Sequence, residues 1–223
     1  MGTNHLNNLV KLQGVDIKAV CDIVEERTVR AQDLVEAAGQ PRPAGYSGGE
    51  RDFERLCAEQ DVDVVYTATP WKWHTPVCVA AMENGKHAIT EVPAAVTLEE
   101  CWQLVDTAEA KQKHCIMMEN CCYGRTEMAV LNMVRQGVLG ELLHAECGYL
   151  HDIRDLFMQM TPGREWFQEN ALLRNGNLYP THGLGPVAQC MNINRGDQFS
   201  HLVSMSSPGL CLGAFAREKL PEG

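Results

Sequence analysis

The segment NGNLYPTHGLGP, residues 175–186, places a tyrosine and a histidine among three glycines and two prolines. Because glycine and proline interrupt helices and strands, the segment is predicted to be a shaped loop that leads into a helix. Histidine exchanges protons near neutral pH, and tyrosine does so when a strong hydrogen-bonding partner holds it. Tyr179 and His182 are therefore candidates for acid–base chemistry. The alternative is a proline turn with an incidental histidine, and the segment alone does not decide between the two.

Other polar and aromatic side chains stand where predicted strands end. They are Asp22, the residues ATPWKWH (68–74), Glu91-Val92-Pro93 and Glu119-Asn120. Ligands of open parallel sheets bind beyond the carboxyl ends of the strands, so these positions are candidates for a binding site.

Asp22 is the most informative of these positions. An acidic residue that ends the second strand of a dinucleotide-binding sheet accepts hydrogen bonds from the adenosine ribose and repels a 2′-phosphate. Asp22 therefore favours NAD over NADP. The alternative is that Asp22 caps the helix that follows.

The elements that position these residues alternate between strand and helix. Such an alternation predicts an α/β fold, a doubly wound parallel sheet with right-handed crossovers. After Asn120 the pattern changes and indicates the start of an α+β domain, so the domains are predicted over 1–120 and 121–223. Trp102, Met128 and Met133 are predicted to be core residues of helices. Strands are predicted over 15–23, 62–70, 86–92, 114–120, 141–151 and 201–207, and helices over 4–13, 25–39, 52–60, 74–85, 97–113, 124–140 and 181–193, with loops over 40–49 and 152–180.

The glycine-rich turn G-x-G-x-x-G, which normally cradles a pyrophosphate, is missing from the start of this pattern. The chain begins MGTNH, so Gly2 could at most be the last glycine of that motif. The sheet is therefore predicted to lack its first strand.

Composition excludes several classes of protein. The net charge of −10 argues against a nucleic-acid partner, because phosphate binding needs clustered lysine and arginine. Ten cysteines occur without a C-x-x-C pair or zinc-site spacing, which indicates a fold without disulfides and no metal centre. No apolar run is long enough to span a membrane.

Five segments of the chain are long and unusual: ATPWKWHTP, EVPAAVTLEE, MMENCCYGR, HAECGYLHDIR and RNGNLYPTHGLGPVAQ. Together they resemble glycoside hydrolase family 109, NAD-dependent α-N-acetylgalactosaminidases within the Gfo/Idh/MocA oxidoreductase superfamily. The resemblance runs from Gly2 to about Ser207 and implies that the family's first strand and the rest of its C-terminal domain are absent, so the chain is expected to be a fragment. It is expected to be cytoplasmic as given, and periplasmic or exported if a preceding segment carries a signal.

The resemblance implies which residues contact NAD and the substrate. The substrate is implied to be a glycan with a terminal α-linked N-acetylgalactosamine. A homo-oligomer is a further possibility that the sequence does not decide. An arginine that the family uses for substrate is replaced by Phe167, after Trp166. Val92 stands where most of the superfamily has a lysine, which supports the glycosidase branch and argues against a simple dehydrogenase. The implied NAD contacts are Asp22, Trp71, His74, Glu91, Val92, Asn120 and Tyr179, and the implied substrate contacts are Tyr149, Tyr179, Pro180, Thr181 and His182.

The resemblance also implies the mechanism. NAD oxidises the sugar at C3, the C1 substituent is eliminated, water adds, and C3 is reduced again with overall retention. Tyr149 is assigned proton transfer, and His182 is assigned the acid–base or water-activating role. Two alternatives remain: a sugar oxidoreductase of the Gfo/Idh/MocA type, and an inactive fragment that serves only as a binding or assembly module.

Overall fold

The computed structural model describes residues 1–158 and 165–219 of the chain. The chain forms two compact units, Met1–Met118 and Glu119–Gly223. Within the described ranges, no helix has the length and apolar character needed to cross a bilayer.

The first unit contains five short strands, all paired in parallel. One pair, β1 with β2, forms a two-stranded sheet, and β3, β4 and β5 form a three-stranded sheet with β4 in the middle. The strands are β1 (Ala19–Cys21), β2 (Ala44–Tyr46), β3 (Val64–Thr67), β4 (His87–Thr90) and β5 (Cys115–Met117).

Helices connect these strands, as parallel pairing requires. A 3₁₀ helix, Trp71–Trp73, precedes the fourth α-helix. The α-helices are α1 (Gly2–Leu9), α2 (Glu25–Ala37), α3 (Asp52–Glu59), α4 (His74–Glu83) and α5 (Leu98–Lys111).

The strand order confirms the predicted α/β class and the doubly wound sheet. In a usual Rossmann sheet the strands lie side by side in the order 3-2-1-4-5-6. Here β2 and β1 correspond to strands 3 and 2 of that order, and β3, β4 and β5 correspond to strands 4, 5 and 6. No strand among the described residues corresponds to strand 1. As a result, β1 and β3 each have one hydrogen-bonded neighbour in the described chain.

The core of the first unit is built around α4. Its sequence, HTPVCVAAME, is apolar on all sides, and seven of its ten residues are buried. Met82 and Ala81 are fully buried and pack with Ala88 of β4 and Leu104 of α5. Burying a methionine side chain of this kind contributes about 1.5–3 kcal/mol.

Local sequence signals located the helices of this unit well. Thr97 and Glu100 form the predicted capping box, since Thr97 Oγ1 accepts from the Glu100 N–H at 3.2 Å and Glu100 Oε2 accepts from the Thr97 N–H at 3.3 Å. The strand β2 was missed inside the loop predicted over 40–49, because three residues between prolines and glycines carry no periodic signal. The prediction that Trp102 is a core residue is wrong, since 62% of it is exposed on α5.

The described part of the second unit is helical. The prediction that Met128 and Met133 of α6 are core residues is wrong, because each is at least 40% exposed. The elements are a 3₁₀ helix (Asn120–Cys122) and the α-helices α6 (Arg125–Arg135), α7 (Arg154–Met158), α8 (Glu165–Leu173), α9 (Pro180–Cys190) and α10 (Cys211–Lys219).

The strands predicted over 141–151 and 201–207 do not form, so those two predictions are wrong. A strand needs a neighbour for its backbone hydrogen bonds, and the described residues of the second unit pair only at the isolated bridge between Ile193 and Asp197. The alternating pattern therefore gives extended segments with exposed leucines, among them Leu143 and Leu150. The loop predicted over 152–180 contains α7 and α8, and its residues 159–164 lie outside the described part.

All ten cysteines are free thiols, as the absence of a disulfide pattern predicted. Cys57 and Cys78 are fully buried in the first unit, where they pack as small apolar side chains.

Candidate functional site

Asp22 lies directly after β1, in the turn that leads into α2. Its Oδ1 accepts a hydrogen bond from the Val24 N–H at 2.9 Å, and its main-chain oxygen accepts one from the Thr28 hydroxyl at 3.3 Å. About a third of the carboxylate side chain, 35%, remains exposed. Asp22 can therefore both order the turn and bind a ligand, because the hydrogen bond from Val24 uses Oδ1 and leaves part of the carboxylate accessible.

The His74 ring connects two loops of the first unit through contacts with their main-chain oxygens. The residue is 1% exposed, and its ring nitrogens lie 2.7 Å from the Pro93 carbonyl oxygen and 2.9 Å from the Thr69 carbonyl oxygen. The ring nitrogens are thus occupied, so a cofactor contact by His74 would involve other atoms. Trp71, three residues earlier, is buried in the same segment.

Glu91 lies just beyond β4, and its carboxylate binds side chains from two other elements. Oε1 accepts a hydrogen bond from the Tyr66 hydroxyl of β3 at 3.0 Å and lies 2.5 Å from Nε2 of His5 in α1. Burial, with the Glu91 charge beside it, raises the pKa of Tyr66 well above its usual range, so the phenol keeps its proton. Val92 is buried and precedes Pro93 through a cis peptide bond.

His182 and Glu119 form a buried ionisable pair in the second unit. His182 lies in the first turn of α9, and its Nδ1 is 2.6 Å from Oε1 of Glu119, which immediately precedes the 3₁₀ helix. Both side chains are buried, with exposed fractions of 8% and 5%. A carboxylate at this distance fixes the ring orientation and accepts a hydrogen bond from Nδ1–H, which leaves Nε2 as the nitrogen that can accept a proton.

The charge state of Glu119 follows from its neighbours. Burial by itself would raise the pKa of its carboxyl group, but Thr181, the Cys121 N–H and His182 outweigh burial and lower it below the ordinary value. Glu119 is therefore a carboxylate at neutral pH, which suits a partner that gains positive charge.

Two tyrosines pack against the His182 ring. Tyr179, the residue that precedes α9, stacks on the imidazole with ring centroids 5.2 Å apart and planes inclined by 7°. Tyr149 meets the imidazole edge-on at 4.5 Å and lies 5.9 Å from the Tyr179 ring. Tyr149 is 36% exposed, so this aromatic group opens to solvent on one side.

Two glycines allow α9 to lie close to its neighbours. A Cβ on Gly185 would stand 2.7 Å from Cys122 Sγ and 3.2 Å from Glu119 Cγ. A Cβ on Gly183 would stand 3.2 Å from both Cys147 and the Gly148 nitrogen, directly before Tyr149. Side chains at these positions would push His182 away from Glu119 and Tyr149, so the glycines of THGLG set the geometry of the cluster.

Replacing Gly185 with alanine is expected to lower the free energy of unfolding by about 1–3 kcal/mol, because the added methyl group overpacks the contact with Cys122. Thermal or urea unfolding of the 223-residue chain measures the change. Gly213→Ala on α10 is the matched control, since its Cβ would meet only the Arg217 side chain at 3.6 Å. Equal stability of the two variants would show that α9 does not need the close approach.

The Glu119 pKa also predicts how stability depends on pH. Because the folded-state pKa lies below the unfolded one, the carboxylate stabilises the fold above its unfolded pKa, and this contribution is lost as the pH falls through the folded pKa. The stability difference between the native chain and Glu119→Gln should therefore shrink as the pH is lowered from about 6 to about 3. A difference that stays constant over this range would contradict the assignment.

Three further predicted residues of the second unit lie next to members of this cluster. Asn120 is exposed at the start of the 3₁₀ helix, Pro180 is exposed at the first position of α9, and Thr181 neighbours Glu119. Phe167, where the resemblance implies an arginine, stacks on Phe157 with ring centroids 5.1 Å apart.

The structure brings Tyr149, Tyr179, Thr181 and His182 together in the second unit. It places the other predicted cofactor residues, apart from Asn120, in the first unit at the ends of β1, β3 and β4. Sequence reasoning placed Glu119 at a strand end, among the candidate positions for a binding site, but gave it no partner. Nothing in the sequence linked it to a histidine 63 residues later.

Comparison with protein families divides the chain in two. Residues 1–119 match the oxidoreductase family with an NAD-binding Rossmann fold, and residues 123–223 match the glycosyl hydrolase 109 C-terminal domain.

Among curated relatives, a glycosyl hydrolase family 109 protein of Shewanella pealeana is 50% identical over 99% of this chain and 48% of its own length. A protein of Shewanella oneidensis named alpha-N-acetylgalactosaminidase is 48% identical over the same shares. The chain thus spans about half the length of these relatives.

Solved structures share the fold. Myo-inositol 2-dehydrogenase from Lactobacillus plantarum aligns with a TM-score of 0.66 and 17% identity over 86% of this chain and 53% of its own. Scyllo-inositol dehydrogenase from Lactobacillus casei, with bound NAD(H) and scyllo-inositol, aligns with a TM-score of 0.54 and 19% identity over 63% and 39%.

Proposed function

Because the chain belongs to glycosyl hydrolase family 109 and to the Gfo/Idh/MocA oxidoreductase family, we propose that it carries the reactive parts of an NAD-dependent glycosidase. The proposed substrate is a glycan that ends in α-linked N-acetylgalactosamine, the sugar named for the Shewanella oneidensis relative. The observation that carries the proposal is the buried Glu119–His182 pair with Tyr149 and Tyr179 packed on the imidazole. A homo-oligomeric state and the lack of a nucleic-acid partner stay predictions.

The residues of the first unit fit NAD at one end of the cofactor. Asp22 offers an accessible carboxylate at the carboxyl edge of the sheet, where a ribose hydroxyl can donate to it. Trp71, Glu91 and Val92 follow the neighbouring strands at the same kind of position. The phosphate-binding glycine turn is absent from the described residues, so the fit covers the adenosine ribose of NAD and not the pyrophosphate.

NAD, when bound, supplies reversible hydride transfer at the sugar C3 and so makes the C2 proton acidic. The chain's own task is then to move protons at C2 and at the glycosidic oxygen. Tyr149 is the proposed group for the C2 proton, since its ring lies at the solvent-facing side of the cluster and contacts His182.

His182 is the proposed group that protonates the departing oxygen and then activates water. Nδ1 is held by Glu119, so Nε2 is the nitrogen that exchanges a proton with the sugar or water. The Glu119 carboxylate stabilises the positive charge that the ring gains in this exchange. Tyr179 stacks on the ring and keeps its plane fixed.

Hydrolysis of p-nitrophenyl α-N-acetylgalactosaminide tests the proposal. The protein to use is a hybrid that joins residues 1–223 to the flanking regions of the Shewanella pealeana relative. Nitrophenol release should require NAD without accumulation of NADH, and a deuterium label at C2 should be lost to water. Retention of the label, or full activity after NAD is removed, would rule out the elimination route.

The same assay separates the alternatives. A sugar oxidoreductase would build up NADH in proportion to oxidised sugar and release no nitrophenol. A binding or assembly module would do neither, even when the hybrid is folded and binds NAD.

Asp22 should make the hybrid prefer NAD over NADP. Asp22→Ala is expected to bring the ratio of the NADP and NAD dissociation constants closer to one, because the 2′-phosphate of NADP no longer meets a carboxylate. Calorimetric titration with both cofactors measures the ratio, and Asp16→Ala, an exposed acidic residue ahead of β1, is the control. Comparable or tighter NADP binding by the unmodified hybrid would contradict the assignment.

A further inference from the structure

Three side chains able to ligate a metal ion converge in the second unit. One ligand atom each from Glu119, Cys121 and His182 lies within 4.8 Å of the others. Backbone geometry explains the convergence: Oε1 of Glu119 accepts the Cys121 N–H at 3.0 Å, which places the carboxylate beside the cysteine, and α9 brings His182 to the same oxygen.

The burial of Glu119 provides a second, independent observation. The residue is 3% exposed, and its Oε2 is buried without a hydrogen-bond partner. A buried carboxylate oxygen that is left unpaired is costly, and a cation in the cluster would satisfy it. Oε1 already accepts from the Cys121 N–H and the His182 ring, so Oε2 is the carboxylate oxygen left for a cation.

The chemistry of the three donors selects the kind of metal. Thiolate, imidazole and carboxylate together suit Zn²⁺, which protein sites often hold with three side chains and one exchangeable position. The thiolate disfavours Mg²⁺ and Ca²⁺, which prefer oxygen ligands.

We propose that Glu119, Cys121 and His182 form a binding site for Zn²⁺ or a similar borderline-soft divalent cation. Binding replaces a proton with the metal: the thiol proton of Cys121 is released to solvent, and the proton on His182 moves from Nδ1 to Nε2, so that the neutral ring ligates through Nδ1. No oxidation or reduction occurs. On the proposed function, the cation competes with the substrate proton chemistry of His182 and so acts as an inhibitor.

Titration of the chelator-treated 223-residue chain with Co²⁺, in the absence of NAD and sugar, tests the site. The expected result is a thiolate-to-cobalt charge-transfer absorption that competing Zn²⁺ removes. Cys121→Ser should lose this absorption and weaken Zn²⁺ binding at least about tenfold. Replacing even a residue that only hydrogen-bonds to a metal ligand lowers metal affinity about 10–100-fold. Cys211→Ser, an exposed thiol on α10, is the matched control and should retain both.

His182→Gln should weaken Zn²⁺ binding to a similar degree, with far-ultraviolet circular dichroism to confirm that each variant is folded. Unchanged absorption and affinity in the folded Cys121→Ser chain would overturn the proposal. The measurement requires no turnover, so Zn²⁺ binding with failed hydrolysis in the hybrid would keep the site and reject the glycosidase function.

Discussion

His182→Gln is expected to lower kcat for glycoside hydrolysis by the hybrid about 10²–10⁴-fold, the range that one positioned acid–base group contributes. Glutamine keeps a polar side chain of similar size but cannot gain and lose a proton near neutral pH. The loss should appear in kcat with little change in KM, because proton transfer acts in the transition state. Release of nitrophenol under saturating substrate and NAD measures it.

Two further variants make this prediction specific. His201→Gln replaces an exposed histidine of the same unit, whose Nδ1 lies 2.9 Å from the Ser200 hydroxyl, and should leave kcat unchanged. Glu119→Gln should lower kcat less than His182→Gln but alter the pH–rate profile, since the charge that supports the ring is gone. A His182→Gln hybrid with native kcat would remove His182 from the mechanism.

The 223-residue chain by itself is expected to bind NAD about 10²–10⁴-fold more weakly than the hybrid. The missing turn G-x-G-x-x-G supplies main-chain N–H groups and a helix N-terminus to the pyrophosphate. Each hydrogen bond to a charged group contributes about 1.5–3 kcal/mol, so the loss of two removes about 3–6 kcal/mol. Calorimetric titration of both proteins with NAD measures the difference.

Adenosine is the matched ligand for this comparison, because it has the ribose that Asp22 can bind and no phosphates. Its weak binding should differ little between the chain and the hybrid. Equal NAD affinity in the two proteins would show that residues 1–223 hold the pyrophosphate in another way.

The sequence determined those features whose causes are local. The capping box at Thr97 and Glu100 fixes the start of α5, and the continuous apolar run of α4 dictates its burial. Asp22 lies at a strand end because it directly follows the residues that form β1 and precedes those that form α2. The loop rich in glycine and proline leads into α9 as predicted, since Pro180 suits the first position of a helix.

Tertiary structure decided everything that needed a distant partner. The alternating segment over 141–151 does not become a strand, because among the described residues of its unit no neighbour pairs with its backbone. Trp102 is exposed although its spacing is typical of a core position, because no described element covers that face of α5.

The site shows the same division. Sequence supplied the residues Tyr149, Tyr179 and His182 and placed Glu119 at a strand end, but did not link Glu119 to His182. The 2.6 Å contact between Glu119 and His182 exists because Gly185 lets α9 approach the 3₁₀ helix closely. A pairing across 63 residues depends on how two helices pack, and helix packing is set by side chains of both surfaces at once, which no single stretch of sequence specifies.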